Sequence, residues 1–254
     1  MAETRPRIAL LVTCLVDMIR PSVGFASVRL LEDAGCAVEV PRQGCCGQPN
    51  FNAGDRGGAK VLARRMIEAM EGFDHVVVPS GSCGATVIKD YPQMFADEPG
   101  WRARAEALSA RTHEIVSFLT DVLGVEGVVA RFEAHATYHD SCSGLRSLGI
   151  KAQPRKLLAS VEGLELTEMA ETEVCCGFGG TFCVKYPDIS NKMVSNKAGN
   201  AAATGAELVL AGDLGCLMNI GGKLSREGRP IRARHVVEVL AGDSETPAIG
   251  ETAR

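Results

Sequence analysis

Short apolar runs and amphipathic stretches alternate along the chain, and the alternation occurs twice. Residues 8–15 form a continuous apolar run ending at a cysteine region, as a buried parallel strand would. Pro21 suits the first turn of a helix that reaches about residue 34, where Gly35 stops it. Residues 36–40 predict a short strand. Ala59, Leu62, Ala63, Met66 and Met70 then follow the i, i+3, i+4 stripe of an amphipathic helix closed by Gly72. His75-Val76-Val77-Val78 reads as another buried strand, with Cys83 in the glycine-rich loop beyond it.

The second half repeats the order more loosely. Residues 136–139 and 164–166 predict strands, with a helix opened by Pro154 between them. A helix over 188–204 and a strand over 207–210 follow. Between the halves, residues 101–123 predict one helical segment with Ile115, Phe118, Leu119 and Val122 on a single face. The expected fold is α/β: two duplicated βαβαβ-like halves with parallel sheets. The boundaries are 1–100 for the first half, 101–133 for a helical connector and 134–241 for the second half. Residues 242–254, small and polar, are expected to be a disordered tail.

Composition narrows the class. A hydrophobic fraction of 46% supports a buried core, and a net charge of −4 with dispersed Lys and Arg argues against a nucleic-acid surface. Arg5 and Arg7 before the apolar residues 8–16 give a faint likeness to an export signal. The run contains a cysteine, is closed by Asp17 and Arg20, and has no small-x-small site after it, so a first strand explains it better. No run approaches the roughly 18 residues of a membrane span. The expected location is the cytoplasm, where thiols serve metals or catalysis rather than disulfides.

The cysteines carry the candidate chemistry. Cys14 is followed after 30 residues by Cys45-Cys46-Gly47, and after 36 more by Cys83. Cys142 is followed after 32 residues by Cys175-Cys176-Gly177, and after 39 more by Cys216. Eight of the ten cysteines therefore fall into two matching sets of four, each at or beyond the C-terminal end of a predicted strand, where open α/β sheets bind ligands. Side chains of adjacent residues diverge, so a vicinal pair chelates one small tetrahedral ion poorly and reaches two irons of a cluster more readily. The glycine after each pair permits close backbone approach. Four thiolates per half suit one [4Fe–4S] cluster per half. Zinc in one half, or a zinc-stabilised scaffold without redox activity, is the competing reading. Cys36 reads as core. Cys183 lies near the second set, and His139 and Asp140 flank Cys142. Neither a dinucleotide fingerprint nor a Walker A loop occurs.

Cys175-Cys176-Gly177-Phe178-Gly179-Gly180-Thr181-Phe182 and Asp213-Leu214-Gly215-Cys216-Leu217-Met218-Asn219-Ile220 resemble runs of the lactate utilization protein A family. Tyr138-His139-Asp140-Ser141-Cys142 and Arg234-His235 add to the likeness, which extends to about residue 241. That family is related to the CCG-domain heterodisulfide reductase B subunit and the glycolate oxidase iron–sulfur subunit. The resemblance implies a cytoplasmic subunit of a three-protein L-lactate-oxidising system that passes electrons among iron–sulfur partners. It assigns the ligands to Cys14, Cys45, Cys46 and Cys83, and to Cys142, Cys175, Cys176 and Cys216. In the heterodisulfide reductase subunit each frame ends in Cys-x-x-Cys. Here Ser80 and Asp213 hold the first of those positions, which weakens disulfide reduction at a noncubane site, favours ordinary electron transfer over the alternative of a disulfide- or quinone-reducing subunit, and leaves Asp213 as a candidate oxygen ligand.

Overall fold

The apolar run beginning at Ile8 becomes the centre of a four-stranded parallel sheet in the computed structural model, which describes residues 5–251. Strand β1 (Arg7–Leu10) lies between β2 (Ala37–Glu39) and β3 (His75–Val78), and β4 (Thr112–Glu114) pairs with the outer side of β3. Ile8, Leu10, Val76, Val77 and Val78 are fully buried, which is why these strands are continuously apolar. The helix Pro21–Asp33 carries its proline in the first turn and stops before Gly35, whose φ of 88° only glycine adopts without strain. The helix Arg56–Met70 starts where the Asp55 carboxylate accepts from Gly58 N at 2.9 Å. It buries Ala59, Ala63, Met66, Ile67 and Met70 in a core shared with Ala9, Val76 and Val78. Each fully buried Met or Ile contributes about 1.5–3 kcal/mol.

The second unit begins after the boundary between Val125 and Glu126. Its sheet holds β5 (Arg131–Tyr138), β6 (Glu162–Leu166), β7 (Leu208–Ala211) and β8 (Arg232–His235) in the order β6-β5-β7-β8. The helices Ala152–Leu158, Pro187–Ala203 and Leu214–Arg226 accompany it. This matches the order β2-β1-β3-β4 of the first unit. In each sheet the strand order reverses between the first and third strands of the unit, which opens a crevice at their C-terminal ends.

Each half thus has a fourth parallel strand beyond the three expected. The segment expected as one helix over 101–123 is instead a helix, Pro99–Ala110, then β4, then helical turns over Ile115–Ser117 and Phe118–Val122. Thr112, His113 and Glu114 pair with Val76, Val77 and Val78, and that ladder outweighs local helical periodicity. Of the expected apolar face, Ile115, Phe118 and Leu119 are buried, whereas Val122 is 43% exposed. Residues 101–125 therefore belong to the first unit and are no linker. Strand β5 starts at Arg131, inside the expected connector. Residues 242–251 are packed rather than free: Arg234 donates to the Asp243 and Thr246 carbonyls, Ile249 N donates to Ala233 O at 2.9 Å, and Ala248 is buried. The remainder of the expected tail, 252–254, lies outside the described residues.

Candidate metal centres

The strand ends deliver the cysteines, and short capped helices aim several of them. After β1, Thr13 Oγ1 accepts from Val16 N at 3.4 Å and opens the helix Cys14–Ile19. After β3, Ser80 Oγ accepts from Cys83 N at 3.3 Å at the start of Gly81–Ala85. After β7, Asp213 Oδ1 accepts from Gly215 N at 3.2 Å at the start of Leu214–Arg226. Cys14, Cys83 and Cys216 thus stand near strand ends as expected, on first helical turns, Cys83 among them rather than in a glycine-rich loop. Cys142 opens the turns Ser143–Ser147 after β5. The vicinal pairs lie in the loops after β2 and β6. Asp213, a candidate extra oxygen ligand, takes the place of a helix cap, as Ser80 does in the first unit.

Within each unit the four thiols meet in the same order. Cys14 contacts Cys45 (Sγ–Sγ 3.8 Å), Cys45 contacts Cys46, and Cys46 contacts Cys83 (3.3 Å). In the second unit Cys142 meets Cys175, Cys175 meets Cys176, and Cys176 meets Cys216. The two members of each vicinal pair therefore reach toward different partners, as their divergent side chains require. Gly47 and Gly177 make the turn possible. Their φ values of 85° and 86° fold the backbone so that Gly47 N and Gly177 N each donate to the sulfur two residues back, at 3.4 Å.

Electrostatics single out one thiolate in each set. Thiol hydrogen bonds from Cys14 and Cys46 hold Cys45 well below the ordinary thiol range, and those from Cys142 and Cys176 do the same for Cys175. Cys14 and Cys142 are pushed up by bonding to those anions and then by burial, and Cys46 and Cys176 likewise. A metal ion replaces these protons.

Two latches hold the inner cysteine of each pair, and the sequence reading missed both. Tyr91, fully buried, donates to the Cys46 carbonyl at 2.7 Å. Asn219 Nδ2 donates to the Cys176 carbonyl at 2.9 Å. Asn219 lies one turn after Cys216 on the same helix face, so that spacing was available as a signal. Tyr91 offered none.

The surroundings of the two sets differ. His139, three residues before Cys142, is fully buried, and its ring, Cys176 Sγ and Cys216 Sγ lie within 4.8 Å of one another. The residue three before Cys14 is Leu11, also fully buried. Burial, and then the nearby Lys197 cation, push the His139 imidazole down to about 3, so it is neutral. A Cβ on Gly47 would face Ala59 and Leu62, and one on Gly177 would face Ser190 and Met193. Four residues beyond Leu62 and Met193 come Met66 and Lys197, both buried. Asp140 is turned away into a bidentate pair with Arg155 at 2.7 and 2.9 Å. Cys36 is core, and Cys183 Sγ faces the Gly180 carbonyl at 3.5 Å.

The donor chemistry fits a soft metal centre: four convergent thiols per unit, backbone N–H groups aimed at sulfur, Asp213 used as a cap and Asp140 held by Arg155. With metal–sulfur bonds of about 2.3 Å, two thiolates on one tetrahedral ion stand about 3.8 Å apart. The 3.8 Å separation of Cys14 and Cys45 thus matches sulfurs sharing an ion, while the 3.3 Å of Cys46 and Cys83 is closer than that. A four-iron centre, with each thiolate on its own iron, needs them spread. Cys14 and Cys45 border an open cleft of about 620 Å³, which gives them room to turn. Among the described residues no helix is long and apolar enough to cross a membrane.

Comparison with known proteins places these two sets in a family. The cysteine-rich domain (CCG) model matches residues 8–88 and 136–221, which contain all eight frame cysteines. Lactate utilization protein A of an Exiguobacterium species is 50% identical over 238 residues, covering 92% of this chain and 97% of that protein. The protein of that name from Bacillus subtilis is 47% identical over 235 residues, covering 92% and 98%. Among solved structures, a hypothetical protein from Helicobacter pylori aligns with a TM-score of 0.61 at 10% identity over 98% of this chain. The chain spans half the length of that protein, and the likeness concerns fold alone.

Proposed function

Because the chain belongs to the lactate utilization protein A family of cysteine-rich domain proteins, we propose that it is the iron–sulfur electron-transfer subunit of a cytoplasmic L-lactate-oxidising complex. Cys14, Cys45, Cys46 and Cys83 hold one [4Fe–4S] cluster, and Cys142, Cys175, Cys176 and Cys216 hold the other. Such clusters, when bound, take up and release single electrons. Oxidation of L-lactate to pyruvate releases electron pairs, which iron–sulfur partner subunits pass to or receive from this chain. No residue here is assigned to lactate itself.

The observation that carries this reading is the duplicated chain of sulfur contacts, 14-45-46-83 and 142-175-176-216, built on equivalent strand ends. The protein's own part is positional. Gly47 N and Gly177 N donate to sulfur, which stabilises negative charge and raises the reduction potential. Tyr91 and Asn219 fix the inner cysteines through their carbonyls. The half-buried Cys14, Cys45 and Cys83, and Cys142 and Cys175, mark the side of each set nearest solvent, where a partner's electrons enter.

A second reading, zinc in one half, draws on the Cys14–Cys45 sulfur separation, which suits a single ion. Anaerobic purification with iron, sulfide and zinc analysis, followed by EPR after reduction, decides between them. Iron and sulfide near four each per half support the clusters. Zinc alone, with no reducible signal, refutes them.

A further inference from the structure

We propose that His139 is a fifth donor to the centre in the second unit, binding metal through an imidazole nitrogen beside Cys176 and Cys216, so that the two halves hold inequivalent centres. The inference rests on the reading that the cysteines hold metal, and adds a ligand that the cysteine frame does not contain.

Three observations carry it. First, His139 is fully buried, yet neither Nδ1 nor Nε2 has a hydrogen-bond partner. Leaving buried polar groups unmatched is costly, and a metal ion would relieve one of the two. Second, the ring is at the right place: its ligand nitrogen, Cys176 Sγ and Cys216 Sγ all fall within 4.8 Å of one another. Third, the backbone acceptor beside the ring is already engaged. The neighbouring Thr172 carbonyl already accepts from Asp140 N at 3.2 Å and from Lys197 Nζ at 3.3 Å, which uses both lone pairs. Asp140, the adjacent carboxylate, is occupied by Arg155.

The first unit supplies the contrast. Its residue at this place is Leu11, which has no donor atom and packs in the core with Ala9 and Val78. A purely packing role in the second unit would be met by leucine there too, without orphaned nitrogens. Nitrogen and sulfur donors occur together at zinc, and a nitrogen donor added beside thiolates changes the electron density, and so the potential, of an iron–sulfur centre. For either metal, then, His139 makes the second centre electronically distinct from the first.

The test uses the full-length protein, purified anaerobically after growth with 15N-histidine, beside the His139→Leu variant, which installs the first unit's residue. Metal and sulfide are counted first. Pulsed EPR of the reduced protein, or zinc-edge X-ray absorption where zinc is found, then reads nitrogen bound to metal. The expected result is a histidine nitrogen signal in the wild type that disappears in His139→Leu, with the potential of one centre shifted and the other unchanged. Metal bound without any histidine nitrogen overturns the role of His139 alone, and the labelled wild type gives that answer even if the variant fails to fold. Protein that holds no metal overturns this inference together with the reading beneath it.

Discussion

The duplication gives one substitution its own internal control. Gly47 and Gly177 follow the vicinal cysteines with nearly the same backbone, at φ 85° and 86°. Replacing either with alanine forces an L-residue into the left-handed region, at a cost of about 1–2 kcal/mol. The added methyl meets different neighbours. At Gly47 it would lie 3.4 Å from Ala59 O and 3.4 Å from Leu62 Cβ, ordinary van der Waals contact. At Gly177 it would lie 2.9 Å from Ser190 O and 3.1 Å from Met193 Cβ, and a helix backbone carbonyl cannot rotate aside. Overpacking of that kind adds about 1–3 kcal/mol. Gly47→Ala should therefore cost about 1–2 kcal/mol and Gly177→Ala about 2–5 kcal/mol. The larger change should also disturb the Gly177 N donation to Cys175 and lower the metal content of the second half. Urea denaturation of the metal-free proteins measures the difference, and anaerobic metal analysis measures its effect on the site. Equal costs, or a larger cost for Gly47→Ala, would refute the argument from packing.

Other outcomes follow from the same geometry. Cys45→Ser and Cys175→Ser, made separately, should each remove about half of the bound metal, because each set is complete within its own unit; loss of all metal from either variant would contradict independent centres. Asp213→Asn should keep both the helix cap and the metal, while Asp213→Ala should lose about 1 kcal/mol of stability with metal retained; metal loss from Asp213→Asn would restore the carboxylate as a ligand. Loading should release protons, because the thiols of Cys14, Cys46, Cys142 and Cys176 are raised and hold their protons in the metal-free protein. Metal affinity should therefore rise with pH, about tenfold per unit for each proton expelled, and a pH-independent affinity in chelator competition would count against it. Arg155→Met should cost about 3–5 kcal/mol by thermal or urea unfolding, since it strands the buried Asp140 carboxylate; a loss below 1 kcal/mol would show that the pair contributes little.

Much of the fold was legible because its signals are local. Buried strands announce themselves as apolar runs, so residues 75–78 were read with their observed ends, and helix ends at Gly35 and Gly72 follow from backbone freedom. Strands β4 and β8 were not legible by these means. They are short edge strands at Thr112–Glu114 and Arg232–His235, polar in sequence, and only the neighbouring strand turns them into ladder. The duplication itself held the missed clue. Ile115-Val116 follows the capping residue Glu114 as Val236-Val237 follows His235, and both caps accept from the helix N–H groups beyond them.

The sequence by itself determined the duplication, the α/β class and the eight cysteines that belong together, since spacing and residue type survive without coordinates. Tertiary structure decided what each neighbour does. It set Asp213 and Ser80 as caps, sent Asp140 to Arg155, and brought Tyr91 and Asn219 to the cysteine carbonyls. It also buried His139 against Cys176 and Cys216 where the first unit has Leu11. The reason is range: helical and strand periodicity is written in adjacent residues. Whether a polar side chain caps, pairs or faces a metal depends on which distant atoms the fold leaves for it.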